Sequence, residues 1–276
     1  MIIDGKLISE EILDHLKNRV EKLKDKKVYP HLCIITFGKN PQTESYLKQK
    51  LLKAGQIGAK ITIKRFPQNS AENKVLNFVE GLNKDKRVHG IIIQRPLPKQ
   101  IDGEKISLAI TPSKDVDGFA PHSPFHSPVG LAVIKLIEST TPNQDIHSFL
   151  KSKKIVLVGK GITAGQPIIN LFNKLGMKPI IVDSKTKHRG KILKSADIIV
   201  SSVGKKIISK DLIKKGVLLI GVGMHIADGK LKGDYEESEI EDKASFHSPT
   251  PGGVGPVNVT MLMKNLVEAA ENLSRS

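Results

Sequence analysis

Tyr46 and Lys50 stand four residues apart in the stretch NPQTESYLKQK (40–50). On a helix that spacing puts both on one face, roughly 5–6 Å apart at Cβ. A lysine gives and takes protons near neutrality once desolvation has lowered its pKa. An aromatic face suits a flat ring system. By itself the pair is also an ordinary amphipathic edge, so its meaning depends on what the rest of the chain brings to it.

A second group with chemical potential is the run KIVLVGKGITAGQP (154–167), which sets Gly159, Gly161 and Gly165 between an apolar strand and a helical stretch. Glycines in that context let the backbone approach a pyrophosphate at a helix N-terminus. A tight strand–helix turn with no ligand would use the same residues. Asp183 ends the next strand, twenty-four residues after Gly159. An acid there accepts hydrogen bonds from an adenosine ribose hydroxyl and favours NAD, whereas Lys160, Lys185 or Lys187 would pair with a 2′-phosphate and favour NADP. The residues leave that contest open.

The elements that must position these groups alternate. Apolar β-type runs HLCIITF (31–37), AKITIKRF (59–66) and VHGIIIQ (88–94) are separated by the Tyr46/Lys50 helix and by a helical stretch from Ser70 to about Asn83, with Ser70 and Asn73 as start signals. Proline-rich chain from Arg95 to Gly130 reads as a hinge. Beyond it, KIVLVG (154–159), KPIIVD (178–183), ADIIVSSVG (196–204) and GVLLIGVG (216–223) repeat the alternation, and 257–273 form one last helical pattern. Short apolar strands separated by helices predict an α/β chain with mostly parallel sheets.

Bulk properties narrow the class. With 276 residues, 39% hydrophobic and 26% charged, the chain is long enough for one large or two smaller globular domains. No apolar run approaches the eighteen or so residues of a membrane span, and the acid-containing start MIIDGKLISEEILDHL is not expected to be a signal peptide. The single cysteine, Cys33, has no partner for an internal disulfide, so a cytoplasmic location is expected. The net charge of +16 points to an anionic partner. Scattered lysines, 4% aromatics and no tryptophan argue against a dedicated nucleic-acid role.

Four segments taken together, NPQTESYLKQK (40–50), GIIIQRPLP (90–98), PSKDVDGF (112–119) and PTPGGVGPVNVTML (249–262), resemble the bifunctional methylenetetrahydrofolate dehydrogenase/cyclohydrolase family, with IIDGK (2–6) and VGKGITAGQP (158–167) in the expected order around them. The resemblance implies a two-lobed α/β fold. A catalytic folate lobe would span 1–120 plus 257–276, and a Rossmann-like dinucleotide lobe 125–250. It implies oxidation of 5,10-methylenetetrahydrofolate with NADP, or with NAD because of Asp183, followed by hydrolysis of the methenyl product to 10-formyltetrahydrofolate. Lys50 would be the central catalytic group, with Tyr46 against the folate, Gln94 orienting the lysine or water, and Asp117 on the pterin. Thr43, Pro251, Gly255 and Asn258 would complete the substrate site. Gly159, Lys160, Gly161, Gly165, Asp183, Ser184 and Met224 would bind the cofactor. No metal is implied. A homodimer is, and polyglutamylated folates would give the positive charge a use.

Departures from the family pattern concentrate in the second half. Lys160-Gly161 stands where Arg-Ser is usual, Asp183-Ser184 replaces a His-Ser pair, Gly221 replaces an acid, Val257-Asn258 replaces Met-Thr, and Phe125-His126-Ser127-Pro128 replaces Pro-Cys-Thr-Pro. Lysine is a poorer bidentate phosphate ligand than arginine. An alternative reading is therefore a cyclohydrolase whose dinucleotide site has decayed, and a rival from another class is a non-catalytic folate- or nucleic-acid-binding protein.

Overall fold

The computed structural model describes residues 1–274. The chain divides into two compact units, one of Met1–Ser9 with Val129–Asn258, the other of Glu10–Pro128 with the chain from Val259 onward. In chain order the elements begin with α1 (Gly5–Asp25), β1 (His31–Phe37), α2 (Pro41–Ile57), β2 (Lys60–Phe66), α3 (Glu72–Lys84), β3 (Gly90–Ile93) and α4 (Gly103–Ala109). There follow α5 (Pro128–Glu138), α6 (Ile146–Lys151), β4 (Ile155–Val158), α7 (Gly165–Lys174), β5 (Ile180–Val182), α8 (Arg189–Lys194), β6 (Ile198–Ser201) and β7 (Val217–Gly221). The chain ends with β8 (Met224–Ala227), β9 (Lys230–Gly233), α9 (Glu237–Ile240), β10 (Ala244–His247) and α10 (Val254–Leu273).

The unit of residues 10–128 is built on a parallel sheet ordered β2-β1-β3. Central β1 is apolar almost throughout because both of its faces are covered. Leu32 and Ile34 join a core with Leu13, Leu16, Val20, Leu47, Ala54, Leu262 and Leu266, while Cys33, Ile35 and Phe37 join another with Val75, Val79, Ile91 and Ile106. That split is the two-residue period of a strand, with helices on either side. Edge strand β2 (KITIKRF) instead alternates between exposed and partly buried positions. Asn265 of α10 locks the helix to the loops over the strand ends, its amide donating to the carbonyls of Val116 (2.8 Å) and His126 (2.9 Å).

The other unit carries a five-stranded parallel sheet ordered β10-β7-β6-β4-β5. Strands β4, β6 and β7 are buried along their whole length. The chain leaves β4 for β5 on one side and returns to β6 on the other. The carboxyl ends of β4 and β6 thus flank a topological switch point, the place where doubly wound sheets bind ligands. Strands β8 and β9 form a separate antiparallel hairpin. No helix among the described residues is long and apolar enough to cross a membrane.

By their contacts, residues 1–9 pack with the unit of 129–258. The Ile3 N–H donates to the His247 carbonyl (2.8 Å) and the His247 N–H to Met1 (3.0 Å), extending the sheet at β10. Several expectations need correction. The proline-rich stretch 95–130 is not all loop. It holds α4, N-capped by the Asp102 carboxylate accepting from Glu104 N and Lys105 N, with Ile106 fully buried. Helix α3 begins at Glu72 after Ala71, and neither Ser70 nor Asn73 caps it. The last helix starts three residues earlier than its apolar pattern, at Val254.

Candidate active site and dinucleotide loop

Helix α2 opens with Pro41, whose missing N–H costs nothing in the first turn. Asn40 precedes it, and its side-chain oxygen accepts from Thr43 N (3.3 Å). Thr43 is buried, Tyr46 is partly exposed one turn on, and Lys50 follows a further turn along. Lys50 Nζ donates to Gln94 Oε1 at 2.6 Å. Gln94 is itself fixed twice. Its backbone N–H prolongs the ladder of β3 by donating to Ile35 O (2.8 Å), and its Nε2 donates to Arg95 O (3.0 Å), which turns the amide oxygen to the lysine. Burial lowers the Lys50 pKa below the ordinary lysine value, and the charge of Asp117 acts in the opposite direction.

Asp117 lies in the turn 115–120. Burial pushes its acid up to about 6, against the attraction of Lys50 and Arg95, while Asp115 adds to the rise. No hydrogen-bond donor among the described residues reaches its carboxylate. Asp115, two residues earlier, is also raised by burial, but its oxygens accept from Gly118 N (3.1 Å) and Ala120 N (2.8 Å), which draws it back down. Ser123 closes the turn by donating to the Asp115 carbonyl. Lys114 anchors it from the other side, its buried ammonium donating to the carbonyls of Leu82, Asn83 and Asp85 at 2.8–2.9 Å, at the C-terminal end of α3. Arg95 lies over the Phe119 ring, 5.3 Å from its centroid, and lines one recess with Asp115, Asp117 and Phe119.

Lys50, Gln94 and Asp117 are therefore brought together electrostatically, with Tyr46 one helical turn from the lysine. Sequence reasoning missed Lys114 and Arg95. Their only signal was a cation directly beside a motif residue, Lys114 before Asp115 and Arg95 after Gln94.

In the other unit, Gly159 follows β4 with φ +92°. Gly165 opens α7 where a Cβ would stand 2.4 Å from the Gly159 carbonyl oxygen, so only glycine lets the helix start against the strand end. A Cβ at Gly161 would meet nothing within 4 Å, so the loop faces open space at its middle. Lys160 Nζ pairs with Asp183 Oδ2 at 2.9 Å. Ser184 is exposed beside it. Across the switch point, the loop after β6 is held by Asp234, whose carboxylate accepts from the Ser201 hydroxyl and from Val203, Gly204 and Lys205 N–H groups. Met224 begins β8 next to that loop, its carbonyl oxygen 3.2 Å from where a Cβ of Gly204 would be. A strand–loop–helix with two obligate glycines, an open middle and exposed lysines at a switch point fits a dinucleotide.

Pro251, Gly255 and Asn258 also belong to this unit. Pro251 follows a cis peptide bond and Gly252 has φ +113°. Gly253 is packed so closely on Gly5 that a Cβ on the latter would overlap its carbonyl, whereas Gly255 borders open space. A Cβ on Gly253 itself would stand 2.7 Å from the Pro249 carbonyl oxygen, so Gly253 is a packing requirement, whereas Gly255, in the first turn of α10, is not.

Residues 3–117 match the tetrahydrofolate dehydrogenase/cyclohydrolase catalytic domain, and residues 128–274 match the NAD(P)-binding domain of the same family. The bifunctional protein FolD of Exiguobacterium sibiricum is 37% identical, over 98% of this chain and 99% of its own. That of Nautilia profundicola is 36% identical, over 99% and 98%. Among solved structures, the bifunctional FolD enzyme of Campylobacter jejuni superposes with a TM-score of 0.92 at 32% identity, over 99% of both chains. The Trypanosoma brucei methylenetetrahydrofolate dehydrogenase-cyclohydrolase, complexed with NADP and an inhibitor, gives 0.92 at 27% identity, over 100% and 99%. Both halves match in order, the relatives align end to end, and the lysine–glutamine pair and glycine loop stand where those domains are matched: the chain belongs to the tetrahydrofolate dehydrogenase/cyclohydrolase family.

Proposed function

We propose that Lys50 is the proton-handling group of both reactions of this chain, with Gln94 orienting it, Asp117 and Thr43 holding the pterin end and Tyr46 lying against the folate. The chain oxidises 5,10-methylenetetrahydrofolate to the 5,10-methenyl compound with NADP and hydrolyses that product to 10-formyltetrahydrofolate. The 2.6 Å bond between Lys50 Nζ and Gln94 Oε1, made by a desolvated lysine, is the observation that supports the assignment most.

Bound NADP supplies the acceptor for the hydride leaving the one-carbon bridge. Gly159, Lys160, Gly161, Gly165, Asp183, Ser184 and Met224 would hold it. The open glycine loop and the basic residues around it favour a working site over a decayed one. Asp117, ionised above about pH 6, accepts hydrogen bonds from the amino-pyrimidine edge of the pterin. Loss of hydride leaves a cationic methenyl carbon. A neutral Lys50 keeps one N–H on Gln94 Oε1 and offers its lone pair to the water that adds to that carbon. The same proton is then returned to N5 as the carbon–N5 bond breaks, the formyl group stays on N10, and the second proton of the water goes to solvent.

A Lys50→Met variant tests this directly. Cofactor-free hydrolysis of methenyltetrahydrofolate should fall by roughly 10²–10⁴-fold, the usual contribution of a general acid–base group, with the thermal midpoint unchanged. Wild-type hydrolysis by that variant would overturn the assignment. Pro251, Gly255 and Asn258 complete the substrate site in this proposal. The +16 charge supports polyglutamylated folates as substrates, and the KM of a polyglutamate should rise with salt more steeply than that of the monoglutamate. The homodimer remains part of the proposal, checked by sedimentation.

A further inference from the structure

At the end of the second strand of a dinucleotide unit, an acid reads the ribose hydroxyl of NAD, and a nearby cation accommodates the 2′-phosphate of NADP. This chain has both groups there, bonded to each other. Lys160, from the loop after β4, puts Nζ 2.9 Å from Asp183 Oδ2. The other carboxylate oxygen, Oδ1, accepts from Thr186 Oγ1 (3.0 Å) and Lys185 N (3.0 Å), and Asp183 N donates back to Thr186 Oγ1 (2.9 Å). The acid is therefore clamped in one orientation with its charge offset by a single lysine. These bonds hold the carboxyl down to about 2, so it is ionised at any working pH. The Lys160 side chain is 60% exposed and that of Asp183 23%, so both groups stay within reach of a ligand. Lys185 and Lys187 are exposed on the same turn.

An unpaired acid would repel a 2′-phosphate, and an unpaired lysine would select for it. The pair presents neither sign in excess, and the neighbouring Lys185 and Lys187 leave the surroundings cationic. We infer that the Lys160–Asp183 ion pair sets the cofactor preference of this chain, admitting NADP despite the acid while leaving NAD a usable ligand. The inference rests on the loop of Gly159–Gly165 being the dinucleotide site. In it, Lys160 and Asp183 act in opposite directions. Removing the lysine uncovers the acid, and removing the acid frees the lysine.

The test is direct binding to the full chain without folate, following NADPH and NADH fluorescence at fixed salt. Wild type should bind both. Lys160→Gln should weaken NADPH by about tenfold or more, as expected when one partner of a charge contact is removed, with NADH within about threefold of wild type. Asp183→Asn keeps an oxygen for Thr186 and Lys185. It should tighten NADPH and weaken NADH, so the preference swings the other way. The double variant should fall between the two singles, and Lys160→Arg should preserve the NADPH affinity. Lys160 is largely exposed, so its variants retain the fold. An NADPH-to-NADH ratio unchanged in both single variants, or shifted in the same direction in both, would overturn the inference alone. Wild type binding NADPH but no NADH would overturn its second half. Wild type binding neither would remove the dinucleotide site and the inference with it.

Discussion

Asp117 in the unit of residues 10–128 is partly buried and Asp234 in the unit of 129–258 fully so, and the two units treat them differently. Asp117 has no donor among the described residues and carries its acid up to about 6. Asp234, fully buried, accepts one hydroxyl and three backbone N–H groups, which tie the loop after β6 into one conformation. Burial costs a charge its hydration in both places. Where the protein returns that hydration as hydrogen bonds, the carboxylate becomes scaffold. Where it does not, the group is left with a perturbed pKa and open acceptor sites, the condition a substrate donor can satisfy. The dinucleotide unit saturates Asp234 and Asp183 and presents an open backbone loop. The unit of residues 10–128 saturates Asp115 and leaves Asp117 without a donor and Lys50 with a single side-chain hydrogen bond.

The most damaging way to probe this contrast is Asp234→Ala. It strands three backbone N–H groups and the Ser201 hydroxyl at the switch point, and a broken buried network of this kind costs about 3–5 kcal/mol. Denaturant unfolding should show a loss of that size together with lost NADPH binding. A loss below about 1 kcal/mol would mean that water replaces the carboxylate and that the loop does not depend on it.

The turn 115–120 contains the same contrast within three residues, and its two acids should respond with opposite signs. Asp115→Asn replaces one acceptor with an NH₂ facing a backbone N–H, and should cost about 1–3 kcal/mol. Asp117→Asn removes a charge that burial opposes. A carboxyl raised to about 6 in the folded state binds its proton more tightly there than in the unfolded chain. Stability therefore falls as pH rises from about 4 to about 6 and stays lower above that. Asp117→Asn should then stabilise the fold by about 3 kcal/mol at pH 7.5, lose that advantage by pH 4, and weaken folate binding. Destabilisation at pH 7.5 would show that Asp117 is scaffold after all.

How much of this was legible beforehand follows from the range of the interactions. The β1 run, the Tyr46/Lys50 face and the glycine loop are local patterns, and each lies within a few residues of its expected position. Lys50 and Gln94 were paired through motif resemblance, and their 2.6 Å bond is short enough to leave little freedom. The division of labour between Asp115 and Asp117 was not legible, because the two acids look alike until the turn decides which one the backbone N–H groups face. Asp234 meets its partners about thirty residues upstream, and no periodicity announces that. Helix α4 was hidden by prolines on either side of it, although Asp102 and buried Ile106 supply a cap and a core contact. Lys160 and Asp183 were set against each other as competing signals for the cofactor. The structure joins them in one ion pair, an outcome that composition cannot express.

Arg95 offers the smallest and sharpest change. Its guanidinium rests on Phe119 and lines the recess that holds Asp117, and its charge draws the Asp117 acid down against the dominant effect of burial. Lys50 acts on that acid in the same direction and Asp115 in the other, and Lys50 is also the proposed proton-handling group. Arg95 is thus the group through which Asp117 can be retuned without touching Lys50. Arg95→Leu keeps apolar contact with the ring and removes the charge, so the acid limb of kcat/KM for methenyl hydrolysis should move up from about 6 by up to about one unit. Arg95→Lys keeps the charge and should leave the limb near its wild-type position. A limb that stays fixed in both variants means that the titrating group is not Asp117. One that moves equally in both means that the stacked geometry, rather than the charge, sets the acid. Only the split between leucine and lysine is consistent with an unpaired carboxylate governed by the charges around it.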